Sequence, residues 1–175
     1  MKLDNQFTIG APASDVWSAM LDLERVAACV PGSEVIGATD DGALEANIRV
    51  KVEPMTMNYR GVVTIVERDH ANQRAVLKAK ARETKGQGSA TAEMIIDVRD
   101  TQPVEVSITT NLEVTGRVAQ MGRGIMQDVA GRLIAGFAEG LRAMIAGQGA
   151  ASAPQAQSSP PPSATVPEGS ARGSG

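Results

Sequence analysis

From Leu44 to Val114 apolar and polar residues alternate along this chain in one run after another. Leu44, Ala46, Ile48, Val50 and Val52 take the even positions of the first run, with Glu45, Asn47, Arg49, Lys51 and Glu53 beside them. Ala75, Leu77, Ala79 and Ala81 alternate with Val76, Lys78, Lys80 and Arg82. Ala90, Ala92, Met94, Ile96 and Val98 alternate with Thr91, Glu93, Ile95, Asp97 and Arg99. Val104, Val106, Ile108, Thr110, Leu112 and Val114 alternate with Glu105, Ser107, Thr109, Asn111 and Glu113. Tyr59 to Val66 reads as a further strand, ended by Asp69-His70-Ala71-Asn72. A period of two sends successive side chains to opposite faces, so the pattern predicts an antiparallel sheet with one wet and one buried face.

Helical signals flank this block. Leu3 to Ile9 alternates weakly and predicts a first strand. Ala11-Pro12-Ala13-Ser14-Asp15 then opens a helix, with Ser14 or the residue before Pro12 as its cap and Asp15 at the positive end of the dipole. Val16, Trp17, Met20 and Leu21 follow at helical spacing, and Leu23 to Cys29 predicts a second short helix stopped at Pro31-Gly32. After the strands, Arg117 to Ala146 predicts one long helix. Its polar stripe is Arg117, Asp128, Arg132, Glu139 and Arg142; Met126, Val129, Leu133, Phe137 and Met144 form the opposite face. The order is β-α-α, about six strands, then a helix. Such segregation predicts an α+β fold with the last helix laid across the buried sheet face.

Gly122, Gly136 and Gly140 fall on the apolar flank of that helix, where each costs about 1 kcal/mol relative to alanine. Ala46, Ala79, Ala81, Ala90 and Ala92 face them from the sheet. Small residues on both walls mean either close packing of helix on sheet or a void, and close packing is the rule in protein interiors.

Composition makes a void easier to leave. The aromatic residues are Phe7, Trp17, Tyr59 and Phe137, so the large ring fillers are scarce, while eight methionines supply an adaptable lining. The net charge of −3, without a basic block, argues against nucleic-acid binding. Cys29 is the single cysteine, which excludes an internal disulfide framework and a cysteine metal cluster. Neither a signal core nor a run long enough to span a membrane is visible, so the expected location is the cytoplasm, with the inner face of the cell membrane as a peripheral station. From Gly147 to Gly175 the chain turns to Gly, Ala, Ser, Gln and Pro. The expected organisation is therefore one folded domain, 1–146, and a disordered tail, 147–175.

Candidate chemistry is sparse. His70 has no partners of its kind and reads as a solvated turn residue. Cys29, at a helix C-terminus, reads as packing rather than a nucleophile. Glu83, Glu93, Asp97 and Glu113 are assigned to outward or rim positions, and Gly86-Gln87-Gly88 to a hairpin turn. Gly136 and Gly140, four apart, suit helix-on-sheet contact. Met55 and Met57, beside Pro54, are either core or an adaptable lip at a cavity mouth.

Two segments carry a resemblance. Ala11-Pro12-Ala13-Ser14-Asp15-Val16-Trp17, running through Leu21-Asp22 to Cys29-Val30-Pro31-Gly32, is one. Gly116-Arg117-Val118-Ala119-Gln120-Met121-Gly122-Arg123, continuing through Asp128-Val129-Ala130 and Leu133 to Phe137, is the other, and Tyr59-Arg60-Gly61 also fits. Over about residues 1–146 the chain resembles the CoxG family of carbon monoxide dehydrogenase subunits, within the START-like, birch-pollen-allergen-like (SRPBCC) superfamily. The resemblance implies a helix-grip fold: a seven-stranded antiparallel sheet around a long C-terminal helix, with an apolar cavity for lipids, sterols or other hydrophobic small molecules. It also implies association with an aerobic molybdenum CO dehydrogenase or related hydroxylase, as an accessory or membrane-recruitment factor. The tail departs from relatives that end in a hydrophobic segment.

The expected function is thus a non-enzymatic carrier, with no catalytic residue and no metal. Ala79, Ala81, Ala92, Met94, Met121, Gly122, Ile125 and Val129 are assigned to the apolar part of a ligand. Tyr59 and Thr110 are assigned to its polar head, through their hydroxyls, and Met55 and Met57 to the mouth. Given the oxidative partner, a membrane quinone such as menaquinone is the expected ligand, carried between membrane and dehydrogenase. The rival reading is a recruitment or assembly factor with no ligand-transfer role. A hydrolase or cyclase, also found in this superfamily, lacks convergent acid-base residues here.

Overall fold

The alternating runs become seven antiparallel strands in a single sheet of order β1-β7-β6-β5-β4-β3-β2. The computed structural model describes residues 1–52 and 54–157, with 148–157 as backbone alone. The strands are β1 (Lys2–Ile9), β2 (Ser33–Ala38), β3 (Leu44–Val52), β4 (Met55–Asp69), β5 (Arg74–Glu83), β6 (Ser89–Arg99) and β7 (Val104–Val114). Helices α1 (Ala13–Met20) and α2 (Leu23–Cys29) follow β1, and α3 (Arg123–Gln157) comes last. The α+β helix-grip architecture expected above is the one observed. Among the described residues no helix is long and apolar enough to cross a membrane.

β2 is the strand that periodicity missed. Ser33-Glu34-Val35-Ile36-Gly37-Ala38 does not alternate, because it lies at the sheet edge with a register shift between Val35 and Gly37. Val35 and Ile36 stay exposed there. β4 begins at Met55 rather than Tyr59, since Met55 already pairs with Val52 of β3. The expected cap of α1 is also corrected: Pro12 holds that position and no side chain caps the helix. Asp22 caps α2, accepting from the Arg25 amide at 3.3 Å.

The predicted long helix is not continuous from Arg117. A 3-10 turn spans Arg117–Met121, and Gly122 follows at φ 87° and ψ 164°. That conformation is essentially confined to glycine and stops a helix from propagating through it. At the other end α3 continues past Ala146 to Gln157, so 147–157, assigned to the tail, are helical backbone. The remainder of the expected tail, 158–175, lies outside the described residues. Two compact units divide at 145/146, the first being Met1–Ile145.

Within that first unit two hydrophobic clusters occupy different parts of the inner sheet face. One joins α1, α3 and the sheet through Trp17, Met20, Ile96, Val106, Phe137 and Leu141. Phe7 and Phe137 meet edge-on there, with ring centres 6.0 Å apart. The other joins Val52, Met57, Tyr59, Val118, Met126 and Val129.

Candidate functional site

A cavity of about 420 Å³ lies on the inner face of the sheet and touches members of both clusters. Its origin is the register. Ala46 of β3 pairs with Gly61 of β4, Gly61 with Ala81 of β5, and Ala81 with Ala90 of β6. All four line the cavity, so one row across four adjacent strands carries no side chain larger than a methyl group. The neighbouring row contributes Ala79 paired with Ala92. Larger side chains on either side, such as Ile48, Leu77, Met94, Leu112 and Leu133, form the walls.

The helix glycines do something different from hollowing the interior. A Cβ on Gly136 would run into Pro31 Cγ, and one on Gly140 would lie 3.0 Å from the Cys29 carbonyl oxygen. Both let α3 close on the end of α2. Gly122 is outside α3 and has open space around it. The void therefore comes chiefly from the sheet, and Gly136 and Gly140 of the helix serve close packing.

Of the residues assigned from sequence, Met57, Tyr59, Ala79, Ala81, Ala92, Met94, Thr110 and Val129 line the cavity. Met55, Met121, Gly122 and Ile125 do not. Met55 and Met121 are half-buried and pack against the second cluster. Ile125 is 43 % exposed, since the break at Gly122 changes the helical phase assumed for a helix starting at Arg117. Met57 is 1 % exposed and belongs to the core, which decides between the two readings left open for it. Sequence reasoning missed Val118, Met126, Ala130 and Phe137 as lining, along with Leu23, Val26 and Val30 of the α2 region. The small residue Gly61 had a signal: it sits in phase with Tyr59 and Val63.

The polar end of the cavity is built around Tyr59. Tyr59 pairs in register with Glu83. Glu83 was assigned to an outward or rim position, and this is corrected: its side chain is 4 % exposed. It continues the inward phase of Ala75, Leu77, Ala79 and Ala81, which the alternation already contained. Its Oε1 accepts a hydrogen bond from Arg117 Nη2 at 3.0 Å, and that ion pair compensates the buried charge. Burial first, and the Glu83 carboxylate second, push the Tyr59 phenol above its ordinary value, with Arg117 pulling the other way. Tyr59 is thus a neutral hydroxyl at physiological pH, able to donate or accept.

The other candidates are placed plainly. His70 remains exposed in its turn but has a partner: Trp17 Nε1 donates to its Nδ1 at 3.1 Å, with the rings edge-on. Burial pushes the Cys29 thiol up, the direction opposite to that of an activated nucleophile. Glu93 and Asp97 pair with Lys78 and Arg74 at the surface. Gly86-Gln87-Gly88 forms the β5–β6 hairpin turn, closed by the Glu83 amide on the Gly88 carbonyl at 2.9 Å. Among the described residues no group of three His, Cys, Asp or Glu is placed to hold a metal ion.

A sheet wrapped on a long helix with an apolar hollow between them is the START-like, helix-grip fold. Solved structures of the same fold include a conserved protein from Geobacillus kaustophilus, 20% identical, with a TM-score of 0.73 over 85% of this chain and 97% of that one. A START superfamily protein from Mycobacterium smegmatis matches at 12% identity and TM-score 0.55, covering 84% of this chain and 98% of its own. The Zhui aromatase/cyclase from Streptomyces matches at 14% identity and TM-score 0.54, over 83% and 93%. Residues 6–146 match the CoxG family of carbon monoxide dehydrogenase subunits, and the chain belongs to that family. No curated protein matches the sequence.

Proposed function

We propose that this protein is a non-catalytic carrier that holds a hydrophobic molecule in the cavity, and that the molecule is a membrane quinone such as menaquinone. In this reading it moves the quinone between the membrane and a molybdenum CO dehydrogenase or related hydroxylase. The observation that carries the proposal is the methyl-or-smaller row Ala46, Gly61, Ala81 and Ala90 beneath an apolar hollow of about 420 Å³. That volume lies within the range of small-molecule sites, and an apolar surround with one or two polar groups is their usual chemistry. Tyr59 and Thr110, which line the cavity together with Asn5, Ser33 and Asn47, each carry a hydroxyl able to hydrogen-bond a quinone carbonyl. The family's name supports the dehydrogenase partner. A cyclase shares the fold, but a paired acid and base facing the hollow is needed for such chemistry, and Glu83 is committed to Arg117.

Native mass spectrometry after mild purification tests this. A co-purifying quinone, lost from a cavity-filled variant, is the expected result. An empty protein bound to the dehydrogenase would overturn the carrier and favour the recruitment reading.

A further inference from the structure

A short strap, Gly116 to Gly122, links β7 to α3 and contributes Val118 to the cavity wall. The strap is the 3-10 turn Arg117–Met121 held between two glycines. Gly116 has φ 89° and ψ −156°, Gly122 φ 87° and ψ 164°. Both lie in a region that is essentially glycine-only, so both junctions have backbone freedom that other residues lack. Val118 is 3 % exposed and is the strap residue that lines the cavity; Ala119 and Gln120 face solvent. The strap is pinned from outside by Arg117, whose guanidinium holds Glu83 at 3.0 Å.

That ion pair is lopsided. The Glu83 side chain is 4 % exposed and the Arg117 side chain 62 %. An external anion can therefore reach Arg117 while Glu83 stays shielded. Between Glu113 and Asp128 the charged residues are Arg117 and Arg123, both basic and both exposed. Ile125, in the first turn of α3, adds an apolar side chain 43 % exposed. Arg117, paired with the shielded Glu83, and Arg123, whose Nη2 donates to the Lys2 carbonyl at 3.3 Å, both stay exposed, and with the exposed Ile125 they suit an anionic lipid surface.

We propose that the strap and the first turn of α3 form the face that meets an anionic bilayer, and that the bilayer opens the cavity by drawing Arg117 away from Glu83. Lipid phosphates compete for the exposed guanidinium, Ile125 enters the interface, and Val118 swings out on the two glycines. The bilayer binds the open form better because Arg117 is free only there, which is the differential contact any population shift requires. The proposal rests on the carrier reading and adds where, and under what signal, ligand passes.

Stopped-flow release of diphenylhexatriene from the full chain tests it. The acceptors are vesicles of phosphatidylcholine alone, or with about a third phosphatidylglycerol, each carrying an energy-transfer quencher. Release from the unaltered protein should be roughly tenfold faster to the anionic vesicles, and high salt should remove the difference. Arg117→Ala should release fast to both vesicle types, with the anionic preference gone. Glu83→Gln should do the same, and serves if Arg117→Ala melts early. Val118→Ala should be faster on both while keeping the preference. Equal wild-type rates on the two vesicles, or a full preference retained in Arg117→Ala, would overturn the proposal and leave the carrier intact. Failure of the protein to take up diphenylhexatriene in vesicle-free solution would instead bring down the carrier reading, and the door with it.

Discussion

Gly61 of β4 and Ala81 of β5 face each other so closely that a Cβ on Gly61 would lie 2.6 Å from the Ala81 Cβ. Together with Ala46 and Ala90 they floor the cavity. The floor is tight between strands and empty above them, so changes to its two dimensions should have opposite effects.

Filling the hollow should therefore be tolerated, and crowding the floor should not. Ala92→Phe projects into the void, and we expect uptake of an apolar fluorophore to fall at least about tenfold with stability within about 1.5 kcal/mol of the parent. Gly61→Val drives side-chain atoms against Ala81 and the Lys80 carbonyl, and should cost about 1–3 kcal/mol. Equilibrium titration beside urea melts separates the two. A sharp loss of stability in Ala92→Phe with no effect on uptake would mean the void is not where ligand sits.

The glycines of α3 should divide by what they face. Gly136→Ala meets Pro31 and should destabilise, despite a gain of up to about 1 kcal/mol in helix propensity. Gly131→Ala meets nothing within 4 Å and should stabilise by about 0.5–1 kcal/mol. Thermal melts of the two single variants give the sign directly. A stabilised Gly136→Ala would show that α3 is not pressed on Pro31.

The two methionines at the start of β4 should separate as well. Met57, 1 % exposed, sits in the second cluster, and Met57→Ser should cost about 2–5 kcal/mol. Met55, half-buried, should tolerate serine with a change of about 1 kcal/mol or less. Chemical denaturation of each variant is the check, and equal losses would contradict the burial difference.

Tyr59 is the single tyrosine, so its ionisation can be followed by ultraviolet absorbance without assignment. Burial and Glu83 raise its folded-state pKa above the ordinary value of 10.0. Above pH 10 the unfolded chain then binds fewer protons than the folded one, so stability is complete below that pH and falls as pH rises towards the folded value. Native absorbance should titrate later than that of the urea-unfolded chain, and Tyr59→Phe should lessen the alkaline loss of stability. Coincident titration curves would place the phenol in open solvent.

Much of the fold was legible because a sheet with one wet face writes its register into the chain as a period of two. The inward sets of β3, β5, β6 and β7 follow residue by residue from that period, and Glu83 obeys the same phase although its charge argues for the surface. β2 was silent for a physical reason: an edge strand with a register shift lacks the contrast that burial on one face imposes. The interrupted helix is half legible: Gly122 stands out in the sequence, but its positive φ depends on where the strap must lie.

By itself the sequence determined which side chains are small, which are apolar and in what order the elements come. It could not say whether two small residues meet across a gap or across a contact, because that depends on long-range register and on the approach of elements far apart in the chain. Only the tertiary structure aligned Ala46, Gly61, Ala81 and Ala90 into one row and left space above it, while pressing Gly136 onto Pro31. The same residue types thus make a void on one wall and a contact on the other, and the deciding quantity is the distance to the opposite backbone, which no local pattern encodes.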